Sequence, residues 1–511
     1  MKRKIAWAML AAFLLSLLIL AGCSDGVEYT VKQSEGGVII EDYRGDGGVI
    51  TVPSEIDGKK VVGIGEFAFA NCQGIREVIL PDGISDIGAY AFVNCAKVTR
   101  IVLPRGGVKV GEYAFSGCNA LEEINVDAIV DLIPEGCFKN CSSLKSAVPG
   151  DVYEIGVKAF VGCSSLESVI IPDSVEYVGA NAFALCTSVS ELKVGRGVID
   201  LGESCFYGVS ADIDISECTG ITVFRRSVFK GYAGSSLDIP VSVETVFDNA
   251  FEGCSADVIF AENSKIQVTK AAFEGYEGEL IVLPSDLDGI EAGAFDGIEA
   301  RIQLKSGSLT IKERFFEGYE GESIVIPESV KHIGEEAFFK ARCDIVFADE
   351  SSIEKIGEKA FASWYGKEIV LPDTVTYIGY GAFSDCKYLK RFDFPKSVAY
   401  IADSAFSSCY ALTELVIPDG ITRIGVGAFM CCSELQSVVL PDSVETIGES
   451  AFESCPMLSE FTMTSSVKSV GINAFNSCNQ LTFIQYKGTE ADWDAIEFGD
   501  QYVFLTPQFI Q

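Results

Sequence analysis

Histidine is almost missing: His332 is the single one among 511 residues. Without imidazoles to spare, Ser-His-Asp and Cys-His catalysis, multi-histidine zinc sites and Glu-x-x-His motifs lose most of their parts at once. His332 sits in Val330-Lys331-His332-Ile333-Gly334, at a position held elsewhere by Tyr, Asp or Arg, and reads as a solvated surface residue. Positive charge is scarce too. Lys and Arg number 39 against 73 Asp and Glu, a formal charge of −34. A chain of that sign repels phosphate backbones, which excludes nucleic acid as a partner, and its plain consequence is solubility. No Cys-x-x-Cys pair occurs among the 18 cysteines, so a metal role for them has little support. No membrane-length apolar run occurs beyond residue 20.

The run that is present stands at the start. Lys2, Arg3 and Lys4 precede an uncharged apolar stretch from Ile5 to Leu20, and Leu20-Ala21-Gly22-Cys23 leads into Ser24 and Asp25. These are the three regions of a signal peptide, assigned to residues 1–22. The Leu-Ala-Gly-Cys ending resembles the bacterial lipobox, whose cysteine is diacylated on sulphur and becomes the new N-terminus, which makes Cys23 the lipidation site. The competing reading is an uncleaved anchor helix, because the stretch comes close to the roughly 17 apolar residues at the lower limit for a span. An anchor has no need of a cysteine there. Either way the remainder lies outside the cytoplasm at a membrane surface, and two acyl chains hold it stably where one binds only marginally. Loss of the leader's three cations takes the formal charge from −34 to −37.

Repetition dominates the rest of the chain. Phenylalanines at 69, 92, 115, 138, 160, 183, 206, 229, 251, 273, 295, 316, 338, 361, 383, 406, 429, 452 and 475 mark nineteen units spaced 21 to 23 residues apart. One copy reads Ala428-Phe429-x-x-Cys432-x-x-Leu435-x-x-Val438-x-Leu440-Pro441-x-x-Val444-x-x-Ile447-Gly448. Leu435, Val438 and Leu440 supply inward side chains in and just before a short strand, and Pro441, which can donate no ladder hydrogen bond, stops it. Gly448 permits a turn that a side chain would crowd. Ala and Phe fill the opposite wall as a stacked aromatic ladder. A single coil of this length cannot bury its own apolar edges, so the array is one mainly β repeat solenoid.

Twelve cysteines stand three residues after the phenylalanine, from Cys72 to Cys478. An extracytoplasmic chain rich in cysteine invites disulfides. Equivalent residues on stacked parallel coils point the same way, however, with Cβ atoms near 5 Å instead of the roughly 3.8 Å a bridge prefers. Free buried thiols acting as small hydrophobes fit better, and the slot also accepts Tyr232, Tyr276, Tyr319 and Trp364.

Both ends read as caps. Residues 23–47 hold the acylated terminus and a β-hairpin, Val27 to Val31 and Val38 to Glu41 around Ser34-Glu35-Gly36-Gly37; the solenoid runs over 48–486; and 487–511 is a helical cap starting at Thr489-x-x-Asp492, with Trp493 on the core. Trp493 as a ligand contact is the alternative. Within the solenoid, units from about 206 to 366 lose Cys and Leu slots and alternate between forms such as Phe316-Glu-Gly-Tyr319 and Phe347-Ala348-Asp349. This block admits two readings, repeat drift with altered curvature or a separate site.

The repeat unit resembles that of the BspA-like leucine-rich-repeat family of bacterial surface proteins over about Val49 to Tyr486, and the ending Tyr486-Lys-Gly-Thr-x-x-x-Trp493 is similar to caps in that family. The resemblance implies a right-handed leucine-rich-repeat solenoid and, for some members, adhesion to host matrix proteins or other cells. It brings no catalytic residues, cofactor or metal site. The expected partner is an extracellular protein or cell-surface ligand, with the N-terminal lipid in the membrane and the chain exposed at the cell surface.

The residue between the two inward aliphatics of each strand faces outward. Ten of eighteen positions in that column are Val or Ile, among them Ile79, Val102, Ile170, Val282, Val325, Val346, Val370, Val416 and Val439. Outward strand positions favour β-branched residues in any case, while a long exposed apolar stripe on an acidic chain marks an interaction face. Glu77, Glu123, Glu191, Glu414 and Glu460 would rim it. A parallel β-helix polysaccharide-degrading enzyme would need clustered carboxylates, for which Asp212, Asp214 and Asp238 are the nearest candidates. A glycan-binding module would show aromatics in the strand columns, where Phe483 alone fits. The leader generates the first prediction: Cys23→Ala leaves an unprocessed, unacylated precursor, read as absence of palmitate label and a larger band. A normally lipidated, membrane-retained product contradicts it.

Overall fold

The computed structural model describes residues 19–24, 27–499 and 506–510. Most of the leader and the side chain of Cys23 lie outside the described residues. Two compact units divide the chain, Met1–Val258 with Glu274–Glu277, and Ile259–Phe273 with Gly278–Gln511. Each is a leucine-rich-repeat β solenoid. Its described helix is one 3-10 turn, Val126–Ala128, in the first unit and one α-helix, Glu490–Asp494, in the second.

The coil from Phe429 to Gly448 shows how the sequence is used. Ser437–Val439 pairs in parallel with Glu414–Val416 before it and Glu460–Thr464 after it. Leu435, Val438 and Leu440 are buried, and Val439 between them is half exposed. After Pro441 the chain turns into Thr446–Ile447, a second, shorter parallel ladder with Arg423–Ile424 and Ser469–Val470. A Cβ added to Gly448 would stand 2.6 Å from the carbonyl carbon of Gly425. That glycine therefore answers to the backbone of the preceding coil, which passes too close for a side chain.

The third wall is the Ala-Phe turn, and it pairs coil to coil without being a strand. Ser450, Phe452 and Ser454 donate their amides to the carbonyls of Ile472, Ala474 and Asn476, each at 2.8 Å. In the first unit Tyr90, Phe92 and Asn94 do the same toward Glu112, Ala114 and Ser116 at 2.7–2.9 Å. Aiming alternate amides along the axis requires a left-handed residue on each side of the phenylalanine: φ is 56° at Tyr90, 58° at Asn94, 54° at Ser450 and 59° at Ser454. Non-glycine residues adopt that conformation at a cost, offset here by the axial bonds. The phenyl rings stack as the repeat spacing demands, with Phe69 to Phe92 at 4.8 Å in the first unit and Phe361 to Phe383 at 5.0 Å in the second.

The cysteine slot points the other way. Cys95 Sγ donates to Phe69 O at 3.0 Å, Cys118 Sγ to Phe92 O at 3.2 Å, and Cys455 Sγ to Phe429 O at 3.2 Å. The described cysteines are free thiols. Ten of the twelve slot cysteines, Cys72 and Cys254 apart, exceed the role of a small hydrophobe, since each is a buried donor that ties its coil to the phenylalanine carbonyl of the coil before.

The block around 206–366 is ordered by a rule of its own. Coils starting at Phe206, Phe251, Phe295 and Phe338 reach their strand two residues sooner than the coil at Phe429 and have no leucine six residues on. In each case the next coil carries the aromatic at the cysteine slot, and that ring reaches back. Tyr232 Oη donates to Ala211 O and accepts from Ile213 N, both at 2.9 Å. Tyr276 Oη donates to Ala256 O at 2.7 Å, Tyr319 Oη to Ala300 O at 2.9 Å, and Trp364 Nε1 to Cys343 O at 2.8 Å. The acceptor is always five residues after the short coil's phenylalanine. Each ring lies over the glycine two residues on, Gly234, Gly321 or Gly366 where the contact is described. Four two-coil modules thus account for the altered pattern, in which a large polar aromatic fills the space and satisfies the backbone that the shorter coil leaves open.

The ends differ from each other. Val27–Ser34 and Gly37–Arg44 form the expected hairpin, longer than its sequence signal, and Tyr43 stacks on Phe69 at 5.0 Å to begin the ring ladder. At the far end Thr489 and Asp492 make the capping box, and half-buried Trp493 lies edge-on to Tyr486 at 5.1 Å. That helix is five residues long, and the rest of the cap is sheet. Glu497–Phe498 pairs with Ser469–Val470, and Thr506–Phe509 pairs with Phe483–Tyr486. The expected short cap helix is present and is a minor part of the cap: the last coil offers two rows of backbone groups, which strands pair and a helix cannot. Pro507 in the outermost strand removes a donor from the exposed edge.

This packing yields two predictions. Burial lifts the thiol of Cys186 to about 12 and that of Cys254 to about 11, from an ordinary value of 9.0. The unfolded chain therefore releases thiol protons first as pH rises, so this contribution to stability is intact below about pH 9 and is lost between there and about pH 12. Urea midpoints should fall across that window, and thiol titration should find most slot cysteines unreactive until unfolding; a flat midpoint, or a majority of oxidised pairs, contradicts this. Tyr319→Phe should cost about 1–3 kcal/mol by stranding buried Ala300 O, whereas Tyr365→Phe, on an exposed ring, should stay within about 0.5 kcal/mol. Equal urea midpoints for the two variants would remove the module rule.

Candidate functional site: the strand face

The outward column separates into buried, half-buried and exposed stretches. In the second unit it is apolar and open: Val370 is 73% exposed, Val416 72%, Val325 55%, Val439 52% and Val346 49%. Val325 is the register partner of Val346, and Val416 of Val439, so these are contiguous pairs. Asp393 stands beside Val370, and Thr462 follows Val439. Val282 is a correction, because it is only 6% exposed. Lys305, whose ammonium reaches Phe260 O two coils away at 3.5 Å, crosses that coil and accompanies the burial.

In the first unit Ile79, Val102 and Ile170 are half-buried. Beyond them the column turns polar at Lys193, Asp214 and Asp238. The apolar stripe is therefore an exposed patch in the second unit and shorter, shallower apolar stretches in the first. The acidic rim is partly neutralised as well. Arg100, on the strand between them, pairs with Glu77 at 2.5 Å and Glu123 at 3.3 Å, and Lys193 pairs with Glu191 at 2.5 Å. Such exposed pairs contribute about 0–1 kcal/mol each to stability, but they cancel charge where a partner would meet it. The side chain of Glu414 lies outside the described residues.

The rival sites are also placed. Asp212 accepts hydrogen bonds from the amide and hydroxyl of Ser235 and Asp214 from those of Ser216, which hold both carboxyls below the usual carboxylate range. A general acid needs the opposite shift. Phe483 is half-buried in its strand. His332 is half-buried, and its Nδ1 has no hydrogen-bond partner, so it is less solvated than its sequence position implies. Among the described residues no group of three or more His, Cys, Asp or Glu could hold a metal ion, and no helix is long and apolar enough to cross a membrane.

Two surface features were not foreseen from the sequence. Exposed Phe67 and half-buried Tyr90 and Tyr113 form stacks on the turn edge, Phe67 with Tyr90 at 5.0 Å and Tyr90 with Tyr113 at 5.2 Å; their signal is an aromatic two residues before the repeat phenylalanine. The other is a cavity of about 860 Å³ on the strand face of the first unit, among Arg100, Val102, Arg105, Glu122, Glu123, Asn125, Lys145 and Val148. It lies where the ladder ending at Glu123–Ile124 and the ladder beginning at Ser146–Ala147 fail to join. The sequence marks it only by Asn125-Val126-Asp127-Ala128, where the usual proline turn is replaced by a 3-10 turn.

Residues 54–166, 131–258, 266–364 and 354–482 match the family described as BspA type Leucine rich repeat region (6 copies). No curated protein matches the chain. Among solved structures, a leucine-rich repeat protein from Bacteroides ovatus is 20% identical, with 96% of this chain and 100% of that one covered at a TM-score of 0.30. A leucine rich cell surface protein from Faecalibacterium prausnitzii is 21% identical, with 94% and 98% covered at 0.29. The T. pallidum leucine rich repeat protein is 26% identical, with 46% and 89% covered at 0.29. The family match rests on the repeats themselves.

Proposed function

From the premise that the chain belongs to the BspA-type leucine-rich-repeat family, we propose that it is a cell-surface lipoprotein, anchored through Cys23, that binds an extracellular protein or cell-surface ligand by its strand face and catalyses nothing. The observation that carries this reading is the exposed patch of Val325, Val346, Val370, Val416 and Val439 on a chain of formal charge −34. A run of branched apolar side chains held in water is costly to leave uncovered and favours a macromolecular partner. Adhesion to host matrix or to other cells is the form such binding takes in this reading. Glycan binding has some support from the rings at the turn edge, but Phe67, Tyr90 and Tyr113 spend much of their face area on each other and offer mainly edges. A polysaccharide-degrading site is disfavoured by the ionised, hydrogen-bonded state of Asp212 and Asp214.

Replacing Val370, Val416 and Val439 together by Ser tests the reading. Each change should alter stability by no more than about 0.5 kcal/mol, while binding to a panel of immobilised matrix proteins should fall at least about tenfold, or about 1.4 kcal/mol. Val438→Lys, an inward change one residue from Val439, should instead unfold the local coils. Undiminished binding by the triple variant with unchanged circular dichroism would reduce the patch to a strand preference.

A further inference from the structure

Along the first unit the strand face is held by a regular backbone rung. Thr99 N donates to Arg76 O at 2.7 Å, Glu122 N to Thr99 O at 2.9 Å, Glu167 N to Lys145 O at 3.1 Å, and Ser190 N to Glu167 O at 2.9 Å. Between Arg76 and Ser190 one member of that series is missing. Among the described residues Lys145 N has no partner and Glu122 O accepts nothing; the two residues meet only through their side chains, Lys145 Nζ to Glu122 Oε2 at 2.7 Å. Two residues of strand further on, neither the amide nor the carbonyl of Val148 is paired, and its side chain is 42% exposed. The stacked rings of Phe115 and Phe138 behind it stay 5.4 Å apart. The coils have therefore parted on the strand side alone.

On the opposite side of the Glu123–Ile124 strand, toward the preceding coil, the ladder stays closed with the help of a side chain. Asn125 Oδ1 accepts from Leu103 N at 2.8 Å and Asn125 Nδ2 donates to Leu103 O at 3.3 Å, so a side-chain amide imitates the backbone where the main chain leaves the ladder. What remains is a cavity of about 860 Å³, within the ordinary range for ligand sites. Its lining carries Arg100, Arg105 and Lys145 against Glu122, Glu123 and Asp127, a balance unlike the rest of this acidic chain, and no aromatic ring.

We propose that this gap receives an extended polypeptide segment of a partner protein, added as a strand between Glu122 O and the 145–148 backbone. Unpaired amides and carbonyls at strand spacing call for a ligand carrying the same groups at the same spacing, which a polypeptide does and a sugar does not. Balanced charges admit a segment of either sign, and the missing ring removes the platform on which a sugar would stack. The proposal rests on the macromolecule-binding function proposed for this chain and places one contact of it in the first unit.

The test pans a linear-peptide display library against the full chain and measures the strongest binder as a synthetic peptide. Val148→Pro deletes the Val148 N–H, which no internal bond uses, and should weaken that peptide at least tenfold. Backbone N-methylation of the peptide should do the same on the unaltered protein, so a misfolded variant would not decide the matter. Hydrogen exchange at Lys145 and Val148 should be fast in the free chain and slow with peptide bound. The proposal is overturned if those amides are already protected, if no enriched peptide loses affinity to Val148→Pro and N-methylation, or if an oligosaccharide array yields the ligand that protects them. Peptide binding that ignores Val148→Pro but is lost in the Val370, Val416 and Val439 triple Ser variant would sink the slot and leave the broader reading standing.

Discussion

A coil of twenty-odd residues has two apolar edges and no means of covering either, so this protein depends on the bond between one coil and the next. That bond is made on three walls, by the long strand, by the short strand and by the Ala-Phe turn, where alternate amides such as those of Ser450, Phe452 and Ser454 point down the axis. Thiols answer in the opposite direction, from Cys455 to the Phe429 carbonyl. Every slot of the repeat serves this contact. The glycine before the turn admits the neighbouring backbone, the left-handed residues aim the amides, and the ring fills the space between.

Because the contact is fixed, a change in coil length has to be compensated across it. Coils at Phe206, Phe251, Phe295 and Phe338 are shorter and lack the leucine, and each leaves a carbonyl five residues on. Tyr232, Tyr276, Tyr319 and Trp364 supply volume and a donor together from the next coil. The strand ladder is interrupted after Ile213–Asp214, Arg301–Gln303 and Asp344–Phe347, where Tyr232, Tyr319 and Trp364 bond the backbone instead, and between Glu123–Ile124 and Ser146–Ala147, where no such ring does. Compensated and uncompensated irregularities thus differ in whether a side chain satisfies the backbone at the interruption.

The same constraint builds the candidate surface. Parallel register places equivalent residues side by side, so Val325 adjoins Val346 and Val416 adjoins Val439 although each pair is separated by a full repeat in sequence. A substitution in one coil then changes a column and not merely a point. Lys305 near Val282, and Arg100 between Glu77 and Glu123, show how a single long cation alters burial or charge on neighbouring coils.

The sequence alone determined the solenoid, its coil count, the inward residues and the phenylalanine ladder, because each is set by a period that local chemistry repeats nineteen times. It also marked the hairpin and the Thr489 capping box, whose signals lie within a few residues. Only the tertiary structure decided which outward residues are exposed, since Val282 and Val370 occupy the same slot and differ in what crosses them from other coils. The sheet-built C-terminal cap, the thiol donors, the aromatic back-bonds and the open rung at Lys145 were beyond the sequence for the same reason. Each is a relation between coils, and a repeat read one unit at a time specifies the residues of a contact without specifying whether the neighbouring backbone arrives to complete it.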